Sequence, residues 1–251
     1  MQRRRLRFPR ISVPIRFALM VIGIALVFAL FPYRDMLHLW HGTKGIDVSH
    51  HQGKIDWTRL KKSDVSFAYI KATEGGTYLD PEFAGNWKAA RDEGLAVGAY
   101  HFFNQCKSGE EQAKNFLAHL PADRDQLPPV LDAEVIDPCK DKNAPAQFDM
   151  TKEIQAFLHK VENETGCRPI IYTTWDFDSN YLQGKFRNER FWIRSLVLPP
   201  SFRSERWIYW QYDDKGQRPG IDTPVDLNVF RGSPEAFDTF RKTSGCFVKA
   251  A

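Results

Sequence analysis

The chain has 251 residues, of which 43% are hydrophobic, 14% aromatic and 26% charged. That is enough for one large domain or two small ones, and it excludes a disordered or low-complexity chain. The net charge of +4 is uneven: residues 1–44 hold eight bases and one acid, which leaves 27 bases against 30 acids over 45–251. The body therefore carries no basic stripe of the kind that binds nucleic acid.

Residues 1–16 form a basic tail with Arg3, Arg4, Arg5, Arg7, Arg10 and Arg16. An uninterrupted apolar or glycine run follows from Phe17 to Phe31, and the uncharged stretch extends to Tyr33. Arginines directly before an apolar run at the N-terminus mark a membrane-targeting segment. No small-x-small cleavage site follows it, so we read 17–33 as an uncleaved transmembrane signal anchor. A cleaved signal peptide and a buried helix are the other options. Residues 34–44 read as a linker. The anchor places 45–251 outside the cytoplasm, where Cys106, Cys139, Cys167 and Cys246 are free to form disulfides.

From Gly45 short apolar runs alternate with amphipathic stretches. Strands are expected at 45–49, 65–73, 95–103, 128–135, 168–174, 190–194, 206–211 and 225–230. Helices are expected over Asp80–Glu93, Ser108–Leu120, Met150–Thr165 and 234–243. Ser108 suits an N-cap, with Glu110 and Glu111 in the first turn, and Gly166 suits a helix stop. Strands alternating with helices imply parallel βαβ units, and eight of them suggest a closed barrel. The last third is poor in helices, which points to an irregular barrel.

Residues two apart on a strand share a face. Asp132 and Glu134 therefore point the same way, with Val130 deeper, at the C-terminal end of a strand where barrel enzymes carry their catalysts. Burial and mutual repulsion raise carboxyl pKa values, as a general acid near neutrality requires. A solvated strand end, or an acid pair held by a base, would show the same local sequence. Asp47 ends the first strand and Asp226 begins the last; barrel closure makes these strands neighbours. Carboxylates across a cleft with aromatic walls are the equipment for glycosidic bond cleavage. The aromatic candidates near strand ends are Tyr69, Tyr100, Phe102, Tyr172, Trp175, Trp210 and Tyr212.

The motifs GIDVSHHQGKIDW at 45–57, FAYIKATEGGTYLDPEF at 67–83, GAYHFF at 98–103, LDAEV at 131–135, IIYTTW at 170–175, WQY at 210–212 and PGIDTPVDLNVF at 219–230 follow one another in order. Together they resemble the family 25 glycoside hydrolases, the Chalaropsis-type lysozymes, over about residues 44–240. The resemblance implies an irregular TIM-like (β/α) barrel of eight strands with helices mainly after the first five. It implies cleavage of the β-1,4 bond between N-acetylmuramic acid and N-acetylglucosamine in peptidoglycan. By motif, Glu134 would be the general acid, Asp132 would assist at the acetamido sugar, and Asp47 and Asp226 would complete the acidic set. Tyr100 and Tyr172 would line the −1 region, with Tyr69, Trp210 and Tyr212 as further substrate-binding candidates. No cofactor is implied. The partners expected are peptidoglycan strands and, through residues 17–33, the bacterial inner membrane, with a monomeric catalytic domain in the periplasm. Barrel order also implies the pairs Cys106–Cys139 and Cys167–Cys246.

Two other functions compete. One is a metal-dependent barrel deacetylase or amidohydrolase using Asp47, His50, His51 and His101. The other is a non-catalytic peptidoglycan-binding domain.

Overall fold

The computed structural model describes residues 20–22, 42–121, 125–136, 149–196, 198–204 and 206–244. Nine strands form one sheet: β1 (Lys44–Val48), β2 (Val65–Glu74), β3 (Tyr78–Leu79), β4 (Ala96–Phe102), β5 (Val130–Ala133), β6 (Ile170–Thr173), β7 (Phe191–Arg194), β8 (Trp207–Gly216) and β9 (Val225–Phe230). Eight of them close into a barrel, because β1 pairs with β2 on one side and β9 on the other. The strands from β1 to β8 run parallel around the barrel, β3 apart. Strand β9 is antiparallel to both neighbours. Strand β3 lies outside the barrel as a short hairpin arm on β2, an element the sequence pattern does not announce.

The described helices are α1 (Trp57–Lys61), α2 (Phe83–Asp92), α3 (Gly109–His119), α4 (Met150–Thr165) and α5 (Pro234–Thr243). A helical turn at Trp175–Phe177 runs into a π-turn at Asp178–Leu182 where a regular barrel would have a full helix. The expected helix over 80–93 starts late, at Phe83, because Asp80 is used otherwise: its carboxylate accepts from the backbone N–H of Glu82 and of His50. In α4 the buried side chains Ile154, Phe157, Leu158 and Val161 fall on one face at helical spacing. Asp149 caps its start, and Gly166 ends it at φ 70°, a conformation that favours glycine. Ser108 caps α3 by accepting from the Glu111 N–H at 3.1 Å.

Strand alternation sorts the core into two layers. Ile46, Ile70, Val97, Leu131, Ile171, Ile193 and Val229 face outward and are buried under the helices. Phe67, Tyr69, Trp192, Tyr209 and Phe230 face inward and fill the lower barrel, with Phe237 of α5 closing the bottom. Ring centroids lie 5.0 Å apart for Tyr69–Trp192 and 5.5 Å for Tyr69–Tyr209, within aromatic-pair range. Space for this plug comes from inward positions without side chains: a Cβ at Gly98 would stand 2.3 Å from the Tyr69 ring, and one at Gly45 2.3 Å from Phe67. The plug stops at mid-height, so the upper barrel opens as a cleft.

The basic tail, nearly all of the 17–33 segment and most of the linker lie outside the described residues, as do Cys139 and Cys246. Among the described residues no helix is long and apolar enough to cross a membrane. Cys106 and Cys167, the two described cysteines, are not free thiols.

Candidate active site

The inward positions above the aromatic plug are polar. Asp47 closes β1, Asp132 and Glu134 stand at the end of β5, and Asp226 begins β9 near the same rim. All four line one cleft of about 340 Å³, with Tyr100, Tyr172, Trp192 and Gln211 on its walls. The four acids named from the sequence therefore converge, at the C-terminal ends of the parallel strands.

Asp47 is the most tightly held. Its Oδ2 accepts from Asn228 Nδ2 at 2.7 Å and from Gln211 Nε2 at 3.1 Å. Gln211 in turn accepts the Tyr172 hydroxyl at 2.8 Å, and Asn228 accepts the Trp192 indole N–H at 2.9 Å. These amides can each donate and accept only in this orientation, so the chain of bonds fixes Asp47. Asp226 sits directly opposite it in the β1–β9 register, and the two carboxyls are hydrogen-bonded. Burial and the neighbouring Asp47 charge push Asp226 up to about 9. Burial raises Asp47 as well, against the lowering effect of its two amide donors. The pair shares a proton that resides on Asp226.

Asp132 and Glu134 form the second pair. Burial lifts Asp132 well above the carboxylate range, and the charge of Glu134 adds to the rise. Burial raises Glu134 too, while Arg194 pulls it down. Among the described residues, buried Asp132 Oδ1 has no hydrogen-bond partner. An acceptor left unpaired in a cleft wall is costly unless a ligand satisfies it. Tyr100 and Tyr172 are held well above their usual phenol range, first by burial and then by the surrounding acids, so both remain neutral.

Phe102 also lines the cleft, whereas Tyr69, Trp175, Trp210 and Tyr212 do not. Tyr69 has the right parity but lies one layer down in the plug, fully buried, with its hydroxyl on the Pro128 carbonyl at 3.2 Å. On β8 the inward residues are Tyr209 and Gln211. Trp210 consequently points to the outer layer, where its indole donates to the Ser195 carbonyl at 2.7 Å. Tyr212 packs against Trp210 and is also absent from the cleft. Sequence reading passed over Lys71, Gln211, Trp192 and Asn228, which lie in or directly behind the walls. Their signal is inward parity at strand ends, which becomes visible only once register is known.

The metal alternative meets a geometric obstacle. His101 faces outward under the helices, fully buried between Thr73 Oγ1 at 2.7 Å and Gln112 Oε1 at 3.2 Å. Burial pushes it down to about 3, so it is a neutral structural imidazole. It cannot meet Asp47. His50 is engaged by Asp80 at 2.7 Å, and only His51 reaches the cleft.

A β/α barrel with two carboxyl pairs at its mouth, each holding raised pKa values in an aromatic-walled cleft, defines a glycoside hydrolase. Residues 46–221 match the model of glycosyl hydrolases family 25, and the chain belongs to that family. It is 37% identical over 202 residues to the uncharacterized protein YegX of Escherichia coli K12, covering 78% of this chain and 72% of that one. It is 35% identical over 204 residues to lysozyme M1 of Streptomyces globisporus, covering 76% and 69%. Among solved structures, a family 25 glycosyl hydrolase from Bacillus anthracis superposes with a TM-score of 0.73 at 38% identity, over 80% of this chain and 94% of that one. The bacterial lysozyme of Streptomyces coelicolor gives 0.71 at 32% identity, over 81% and 98%.

Proposed function

We propose that this barrel is a peptidoglycan muramidase, cleaving the β-1,4 bond between N-acetylmuramic acid and N-acetylglucosamine, with Glu134 as general acid. The observation that carries the reading is the Asp132–Glu134 pair, which lines the cleft with both carboxyls raised by burial. The lysozyme relatives supply the substrate class.

Glu134 is the more exposed member, at the strand end. Asp132 lies deeper and carries the pair's proton before substrate binds. An acetamido N–H donating to Asp132 favours its ionised form, so the proton passes to Glu134. Glu134 then delivers it to the leaving glycosidic oxygen as the C–O bond breaks. Positive charge building at the sugar is met by the fixed Asp47 carboxylate. Water completes the new C–O bond and returns its proton to the carboxyl cluster, closing the cycle.

Digestion of purified peptidoglycan, with mass analysis of the new reducing ends, tests this. N-acetylmuramic acid ends are expected, and Glu134→Gln should bind wall fragments while releasing none. N-acetylglucosamine ends would refute the muramidase assignment. Equal inactivity of wild type and variant would favour a binding domain.

The same reading takes 17–33 as an inner-membrane anchor holding a monomeric barrel in the periplasm. The arginine-led apolar run supports it, and alkaline extraction of membranes tests it: the chain should stay in the pellet. For the disulfides, Cys167 Sγ lies 3.4 Å from the Ser244 carbonyl, two residues before Cys246. Gln105, next to Cys106, donates to the Glu134 carbonyl at 3.1 Å, five residues before Cys139. Both contacts favour Cys106–Cys139 and Cys167–Cys246, and unreduced peptide mapping decides it.

A further inference from the structure

Lys71 plays no part in the reaction above, yet it lines the cleft. It points inward from β2, two residues above Tyr69, and pairs in the ladder with Tyr100. Only 7% of the residue is exposed, which is rare for lysine. Its ammonium is held 2.7 Å from Glu74 Oε2, 4.8 Å from the Phe102 ring centre and 5.6 Å from that of Tyr78. Among the described residues lining the cleft it is the one Lys or Arg, against the carboxyls of Asp47, Glu74, Asp132, Glu134 and Asp226.

An ammonium carries three donors. Glu74 takes one, and the aromatic faces attract the charge without accepting a full hydrogen bond. A donor therefore remains for a ligand. The two sugars of the substrate differ at one position: muramic acid carries a lactyl ether at O3, ending in a carboxyl group, where N-acetylglucosamine has a hydroxyl. In a cleft lined with acids, the cation such a carboxyl meets in the wall is Lys71; Arg194 stands behind Glu134 and is held by Asp214 at 2.7 Å.

We propose, resting on the muramidase reading, that Lys71 receives a carboxyl oxygen of the 3-O-lactyl group and so makes the site prefer muramyl glycans to chitin-type glycans. Glu74, Phe102 and Tyr78 hold the ammonium in place for that contact. Carboxylates of the stem peptide offer the same chemistry from further out, so the deciding ligand carries no peptide.

The test is calorimetric binding to the full chain in detergent, in a Glu134→Gln background that prevents turnover. The ligands are a peptide-free N-acetylglucosamine–N-acetylmuramic acid oligosaccharide and a chitin oligosaccharide of equal length. Adding Lys71→Met should weaken the muramyl ligand roughly 10- to 100-fold, as loss of a charge-assisted hydrogen bond does, and the chitin ligand less than about threefold. Lys71→Arg should retain most of the preference, and Lys71→Gln serves if the methionine variant does not fold. Equal losses for both ligands, or no loss for either, would overturn the proposal. A stem-peptide-bearing muramyl oligosaccharide is the third ligand: if it alone responds, the cation reads the stem and the lactyl assignment fails. If the Glu134→Gln chain binds neither ligand, the muramidase reading falls as well.

Discussion

Asp47 and Asp226 face each other across the β1–β9 ladder, hydrogen-bonded carboxyl to carboxyl, and only Asp47 has amide donors on its far side. That asymmetry decides which member keeps the proton. It also couples the site to pH.

A carboxyl raised in the folded state binds a proton there that it releases in the unfolded chain. Its stabilising effect is complete below the unfolded value of 3.8 and is lost as pH rises through the folded value of about 9. The melting temperature should therefore fall between about pH 4 and pH 9. Asp226→Asn removes that titration: it should match wild type near pH 4 and melt roughly 2–8 °C higher near pH 9, equivalent to a few kcal/mol in a domain of this size. Parallel melting curves at both pH values would refute the assigned proton.

Tyr172 reaches Asp47 through Gln211, and removing its hydroxyl leaves the Gln211 oxygen without its donor. Tyr172→Phe should lower kcat about 10-fold, with a smaller effect on KM, because the orientation of Asp47 matters most in the transition state. A change confined to KM would mean that the tyrosine only contacts the sugar.

Asn228 serves Asp47 and the Trp192 indole at once. Asn228→Leu strands a buried N–H and strips a buried carboxylate of its best donor. A cost of about 2–4 kcal/mol in stability is expected, with activity down at least about 10-fold. Chemical denaturation and reducing-end release measure the two effects.

Trp210 provides the opposite case. It is buried on the outer face of β8, away from the cleft. Trp210→Ala should cost about 3–5 kcal/mol of stability while leaving kcat and KM of the folded fraction near wild type. A raised KM in fully folded protein would place it at the substrate after all.

The contrast between Trp210 and Asp132 shows what was legible in the sequence. Two acids on one strand face, where apolar residues belong, announce themselves without any knowledge of neighbours. The run Trp207-Ile208-Tyr209-Trp210-Gln211-Tyr212 does not, since large side chains occupy both faces and no alternation says which is inside. Register with β7 and β9 settles it by turning Tyr209 and Gln211 inward. Tyr69 failed on height, not on face: it is inward, but one layer below the floor. The start of helix α3 and the end of α4 are readable from Ser108 and Gly166 because caps are local chemistry. The sequence pattern places Asp80 in a helix because its use by His50, thirty residues away, is not local. Lys71, Gln211 and Asn228 acquire meaning only from partners on other strands.

The reversed course of β9 has one more consequence. Because β9 returns to the base of the barrel, α5 packs there through Phe237 against Phe67 and Phe230, beside the point where the chain enters at Lys44. Both the entry at Lys44 and the last described helix thus sit at the pole opposite the cleft. A glycan lying across the mouth therefore meets neither the Lys44 entry nor helix α5.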